Sequence, residues 1–141
     1  MEIERENQLK QIIRCFDLWM SIKEKDINLM NAFFEKRSLS RIGIYGYGKL
    51  GKHLIREIKD AGFTVSWIAD RRADLLLANE KNQPEIKLIS PEEINETCDF
   101  VIVTTAGDMD SIERIISEKI DTRIIHIEEI INRVMELKEV L

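Results

Sequence analysis

Apolar residues first recur at helical spacing. Leu9, Ile12, Ile13, Phe16, Trp19 and Met20 fall at i, i+3, i+4, i+7, i+10 and i+11, a period that gathers them on one stripe over residues 3–22. A second apolar set, Ile27, Met30, Phe33 and Phe34, shares a face behind Asp26, an N-cap residue type, and ends at Glu35-Lys36-Arg37-Ser38. The pattern predicts a helical hairpin over residues 1–38 as one unit, followed by a second unit over residues 39–141.

From Arg41 the period changes. RIGIYG is short, β-branched and aromatic and ends in glycines, as a strand does. Leu50, Leu54, Ile55 and Ile58 then mark a helix over Lys49 to Ala61, with Gly62 as its stop signal. TVSWIAD, Thr64 to Asp70, is a second strand, and NEKNQPE around Pro84 reads as a surface loop. KLIS, Lys87 to Ser90, is a weak third strand. PEEI opens a short helix with Ser90 as cap, Pro91 at the first helical position and acids in the first turn. DFVIVTT, Asp99 to Thr105, is almost continuously apolar, as a strand buried on both faces must be. A helix from Asp110 or Ser111 to Lys119, a fifth strand RIIHI and a closing helix over residues 128–140 complete the chain. Strands alternating with helices imply a parallel sheet with right-handed crossovers. The expected fold is α/β: a doubly wound, Rossmann-like sheet of five parallel strands ordered 3-2-1-4-5, with the helical hairpin at its N-terminal side.

The candidate chemistry sits where the first strand meets its helix. Gly46, Gly48 and Gly51 form G-x-G-x-x-G between a predicted strand and a predicted helix, the context that gives this pattern physical meaning. Gly46 makes the turn, Gly48 leaves the backbone bare for a pyrophosphate, and Gly51 lets the helix sit close to the sheet. Unsatisfied N–H groups and the positive dipole end of the helix favour an anion at its first turn, beside Tyr47, Lys49 and Leu50. Asp70 ends the second strand 19 residues after Gly51, near the spacing at which a carboxylate reaches a ribose diol. Arg71 and Arg72 follow it, and arginine there holds a 2′-phosphate instead. NAD, NADP and a nucleotide sugar all fit. Ile44 and Tyr45 precede the glycines where an S-adenosylmethionine site tends to carry an acid. In an open α/β sheet the ligand crosses the carboxyl edge at the switch point, which brings in Thr104, Thr105 and Ala106 as ribose or phosphate contacts, or as ordinary strand-end residues. The expectation depends on the mouth of the first crossover helix being open; a hairpin folded across it would leave only a scaffold.

Composition narrows the partners. The net charge of −5 lacks the surplus of Lys and Arg on which nucleic-acid binding rests. MEIEREN has no apolar segment behind it, and no apolar run approaches the ~20 residues that span a bilayer. A cytoplasmic protein without membrane or nucleic-acid partners is expected. Cys15 and Cys98 match no metal or redox spacing and read as small buried hydrophobes. His53 reads as a helix-surface residue and His126 as sheet-packed. Glu92, Glu93, Glu128 and Glu129 lie in first turns, where dipole complementation explains them. No catalytic acid and base set and no substrate domain are visible, which leans toward a binding module rather than an enzyme.

Arg41 to Ile131, about two-thirds of the chain, resembles small Rossmann-like domains of bacterial sugar-modifying and surface-polysaccharide proteins, the N-terminal domain of sugar acetyltransferases among them. RIGIYGYGKLG, WIAD, LISPEEI, DFVIVTT and IIHIEEII carry the resemblance. It implies nucleotide-sugar or dinucleotide binding at Gly46, Gly48, Gly51 and Asp70, in an accessory protein of sugar or surface-glycan metabolism. The hexapeptide repeats of the acetyltransferase domain are absent, so that activity does not carry over. IYGYGKLG and Asp70 are also similar to the NAD-binding regulatory domains of potassium channels, although the glycine-aspartate segment after strand three is missing. A different reading is a scaffold without a ligand. Phe16, Trp19, Phe33 and Phe34 then supply a homodimer seam through residues 1–38, unless they simply bury one another. An oxidoreductase whose catalytic group comes from another chain is the third.

Overall fold

A computed structural model describes residues 2–34, 41–78 and 87–138. Helix α1 (Glu2–Lys23) leads through a turn to the short α2 (Leu29–Phe33). Strand β1 (Arg41–Tyr45) and helix α3 (Lys49–Asp60) follow, then β2 (Thr64–Ala69), α4 (Ala73–Ala78) and β3 (Leu88–Ile89). After a 3₁₀ turn (Pro91–Glu93) come β4 (Phe100–Val103), α5 (Met109–Ser117), β5 (Arg123–His126) and α6 (Ile127–Lys138). The five strands are parallel and ordered β3-β2-β1-β4-β5, the arrangement expected from the sequence. The expected tail of the second helix at residues 35–38, the loop around Pro84 and the last residues of the closing helix lie outside the described residues.

Alternation along the strands divides the core between two faces. Ile42, Ile44, Ile68, Ile102 and Ile125 face α1, α2, α3 and α6, and on that side Trp19, Leu54 and Ile130 join them. Trp67, Ala69, Val101 and Val103 face the other way, against Ile112 and Ile116 of α5. The central strand β1 accommodates Trp67 because residue 43 has no side chain: a Cβ there would stand 2.7 Å from the indole ring. The β1–β2 register shifts between Ile42 and Gly43.

Three local readings differ from the sequence pattern. Asn28, not Asp26, caps α2: its side chain accepts the Asn31 N–H at 3.0 Å, while Asp26 takes a left-handed φ of 57° in the turn that ends α1. Asp108 caps α5 by accepting the Asp110 N–H at 3.1 Å, so that helix begins at Met109. Helix α1 is also rotated about its axis. Cys15, Trp19 and Ile22 are its buried residues, whereas Leu9 and Ile13 from the predicted stripe are 57% and 51% exposed. Two ion pairs accompany that rotation. Arg14 binds Glu128 at the start of α6, and Lys23 binds Glu57 on α3. Glu57 is buried and also accepts the Leu29 N–H at 2.8 Å, so a single carboxylate ties α1, α2 and α3 together. The expected capping at Ser90 is present, with the Glu93 carboxylate accepting both the Ser90 N–H (3.0 Å) and its hydroxyl (2.8 Å). Those bonds hold the Glu93 carboxyl below the usual carboxylate range.

Candidate functional site

β1 delivers the glycine loop to the carboxyl edge of the sheet. Gly46 has φ 115°, and a Cβ on it would stand 2.5 Å from the Thr104 hydroxyl oxygen. At Gly51 a Cβ would collide with the carbonyl oxygen of Gly46. Both positions therefore exclude side chains for packing reasons internal to the loop. Gly48 is different: no atom lies within 4 Å of where its Cβ would be. That is open room directly over the start of α3. Gly48 is also the N-cap of α3 and offers no side chain to its first amides. The first turn contains no acid and carries Lys49 and Lys52 instead. Two cations at the positive end of a 12-residue helix run against the usual complementation. An anion seated there satisfies the bare amides and lies beside Lys49, which borders the mouth.

The loop is held from both sides. Asp70, 4% exposed, accepts the Tyr47 N–H through one carboxylate oxygen at 2.8 Å. Its other oxygen accepts the Arg72 N–H at 2.8 Å and faces Arg72 Nε at 3.4 Å. The Thr104 hydroxyl donates to the Gly46 carbonyl at 3.0 Å. Of the residues expected to touch a nucleotide, Asp70 and Thr104 thus shape the loop. Tyr47 is buried beneath the Lys52 ammonium, which lies 5.2 Å from its ring centre.

Among the cavities at this edge, two border Arg72, Thr105 and Ala106. The larger, about 720 Å³, is lined by Tyr45, Asp70, Arg71, Arg72, Thr105 and Ala106, with Asp108 and Ile112 opposite. This is within the 300–1,000 Å³ range of small-molecule sites. The smaller, about 200 Å³, is the mouth itself, bounded by Gly48, Lys49, Leu50, Arg72 and Thr104–Ala106. Helix α1 crosses over that mouth with Gln8 and Ile12 and leaves it unfilled. Gly46 and Gly51 shape the turn behind the mouth and border neither cavity. The other expected site residues meet at the cavities or in the loop beside them.

Sequence reasoning missed Gln8, Ile12, Tyr45, Asp108, Ser111 and Ile112 as lining residues. Asp108 had a signal, since D-x-D-S after a strand is a capping pattern; Gln8 comes from 40 residues upstream and had none. Tyr45 stands four residues before Lys49, a tyrosine-lysine spacing used in some dehydrogenases on one helix. Here a strand end and a turn separate the two. The Lys49 ammonium rests 4.9 Å from the Phe16 ring centre, and the buried Tyr45 hydroxyl has no hydrogen-bond partner among the described residues.

Other titratable groups are occupied structurally. His126 faces the Thr105 carbonyl through Nε2 (2.8 Å) and accepts the Glu128 N–H at Nδ1 (3.1 Å), which fixes the neutral tautomer with the proton on Nε2. His53 stacks 5.3 Å from Phe16; burial, then Arg56 and Lys49, lower its pKa. Burial pushes the Cys15 thiol up to about 12, and Glu128 adds to the shift, which keeps it out of thiolate chemistry. Among the described residues no group of three His, Cys, Asp or Glu side chains is placed to hold a metal ion, and no helix is long and apolar enough to cross a membrane.

Residues 41–127 match the family model described as the NAD binding domain of 6-phosphogluconate dehydrogenase. No curated protein and no solved structure gives a significant match. The match begins with β1, contains the glycine loop, Asp70 and Thr104–Ala106, and ends as α6 begins. With a sheet of the corresponding order and an uncapped helix mouth beside a nucleotide-sized cavity, the chain belongs to this family of Rossmann-type NAD-binding domains.

Proposed function

We propose that the protein binds a dinucleotide of the NADP type, with its diphosphate at the mouth of α3 and its adenosine end in the larger cavity. One observation carries the reading: the bare, acid-free first turn of α3, with open room above Gly48, shares Arg72, Thr105 and Ala106 with a neighbouring cavity flanked by Arg71 and Arg72. NADP is favoured over NAD by the charge at the ribose end. Both oxygens of Asp70 are engaged by Tyr47 and Arg72, and at the end of β2 the guanidiniums of Arg71 and Arg72 stand beside that one carboxylate, while Asp108, the second carboxylate of the cavity, comes from the far end of β4. An added phosphate suits that end better than a neutral diol.

Among the described residues the titratable side chains around the larger cavity are Tyr45, Asp70, Arg71, Arg72 and Asp108; the Tyr45 side chain is buried, and Asp108 caps α5 while accepting the Ser111 hydroxyl at 2.7 Å. This inventory suits holding a cofactor better than moving a substrate proton, so the chain acts as an accessory or partner-dependent module. Its place in sugar or surface-glycan metabolism rests on the resemblance of RIGIYGYGKLG and LISPEEI to such modules. Thermal shift and NADPH fluorescence titration test the reading. NADP and NADPH should raise the melting temperature more than NAD and NADH at equal concentration, and UDP-, GDP- and CMP-sugars should raise it least. No shift with any of them at millimolar concentration defeats the proposal.

A second reading concerns the outer face of α1. Leu9 and Ile13, four residues apart and both exposed, continue into half-buried Phe16 and Met20, an apolar strip suited to a second copy of the chain. Sedimentation of the wild type beside Leu9→Glu and Ile13→Glu decides it; a wild-type monomer at micromolar concentration removes the homodimer.

A further inference from the structure

Helix α1 precedes the family-matched stretch, yet it walls the nucleotide cavities. Gln8 borders both the larger cavity and the mouth, and Ile12 borders the mouth. Gln8, Ile12, Cys15, Trp19 and Ile22 are spaced four, three, four and three residues apart, which keeps them on one side of the helix. Cys15, Trp19 and Ile22 are buried, and Ile12 is half-buried against the core. The inward stripe is therefore apolar until it leaves the core and reaches the cavities, where it changes to a carboxamide. Apolar side chains are available on the same helix, since Leu9 and Ile13 stand in solvent. Burial alone would favour the opposite arrangement, with an aliphatic side chain facing inward at residue 8.

We infer that α1 is the roof of the nucleotide site and that Gln8 is a ligand contact. Its carboxamide N–H donates to a phosphate or ribose oxygen at the mouth, and its carbonyl accepts from a ribose hydroxyl. The inference rests on the dinucleotide reading above and adds a residue outside the Rossmann sheet to it. Gln8 is held in place from behind. Cys15 is buried about 10 Å further along the axis at 1.5 Å per residue. Phe16 packs under the Lys49 ammonium, and Arg14 is paired with Glu128. The helix that carries Gln8 is thus fixed, and the ligand has only the side-chain rotamer to order.

Calorimetric titration of the full chain with NADP and NADPH tests this, using Gln8→Ala, Gln8→Glu and Gln8→Lys. Glu6→Lys, on the opposite side of the helix, controls for charge alone. Gln8→Ala should weaken binding about three- to tenfold, the loss of one ligand hydrogen bond. Gln8→Glu should weaken it further, Gln8→Lys should restore or tighten it, and Glu6→Lys should stay within about twofold of wild type. Melting temperatures of all four should follow wild type. Unchanged or tighter binding by Gln8→Ala overturns the inference, because α1 is then a bystander or an obstacle. Equal effects of Gln8→Glu and Gln8→Lys overturn it too. A wild type that binds neither nucleotide defeats the dinucleotide reading and this inference together; normal wild-type binding with indifferent Gln8 variants defeats the inference alone.

Discussion

Asp70→Asn keeps the size and shape of a side chain that is 4% exposed and turns one of its acceptor oxygens into a donor. The carboxylate accepts two backbone N–H groups at 2.8 Å, one from Tyr47 in the glycine loop and one from Arg72 after β2. An amide can accept only one of them, and its NH₂ must then meet the other N–H group. A hydrogen bond to a charged acceptor is worth about 1.5–3 kcal/mol, and an orphaned buried donor costs about 1–3 kcal/mol. Because these overlap, the expected loss is about 2–3 kcal/mol. For a chain of this length it corresponds to a fall in melting temperature of roughly 6–15 °C. Scanning calorimetry of the ligand-free protein reads it directly. If Asp70 acted only on a bound ribose, the ligand-free variant would melt with the wild type. A difference below about 2 °C would falsify the view that this carboxylate builds the loop.

The glycines separate folding from binding. Gly48→Ala should leave the melting temperature within a few degrees, with a cap penalty of at most about 1 kcal/mol, and lower dinucleotide affinity at least about tenfold because the new methyl fills the open approach. Gly51→Ala should instead cost stability, about 1–3 kcal/mol from overpacking against Gly46, visible in urea titration; equal behaviour of the two variants refutes the assignment. Glu57→Ala should destabilise by about 1–3 kcal/mol by orphaning the Leu29 N–H, and hydrogen exchange should show α1 and α2 opening before the sheet. Acid should weaken the α1–α6 contact. Burial works against ionisation of Glu128, but the Arg14 guanidinium and the Cys15 thiol outweigh it and hold the folded pKa below 4.5. Its stabilisation is present above pH 4.5 and is lost as pH falls through the lower folded value. Arg14→Met should lose less stability over that acid range than wild type; identical acid profiles would show the pair to be inert.

The sheet was legible because its signals are local. β1 and β4 are apolar runs bounded by glycine, aspartate and threonine, and both stand where the pattern put them. The glycine loop was legible for the same reason, since a strand, G-x-G-x-x-G and a helix are contiguous in the chain. What escaped depends on partners distant in sequence. Leu9 and Ile13 form as good a stripe as Cys15 and Ile22 do. The choice between them is made by tertiary packing: Cys15, Trp19 and Ile22 enter the core, and in that orientation Lys23 and Arg14 reach Glu57 and Glu128 from far along the chain. Asp26 and Asn28 are both capping residue types, and the left-handed turn at Asp26 leaves the cap to Asn28. Asp70 stands at the carboxyl edge of the sheet beside the glycine loop, but its bond to Tyr47 could not be read from the spacing, which fixes position and not the direction of a carboxylate.

The vacant Cβ position of Gly43 has an optical consequence. The chain has two tryptophans, one indole on each side of the sheet: Trp67 crosses β1 at Gly43 and donates to the Glu96 carbonyl at 2.8 Å, and Trp19 is sealed beneath α1. Fully shielded indoles emit at shorter wavelength than hydrated ones, so each works as an intrinsic reporter of its own layer. Substituting Phe for one at a time makes the remaining emission a private signal, one for detachment of the helical cover and one for melting of the strands beneath it.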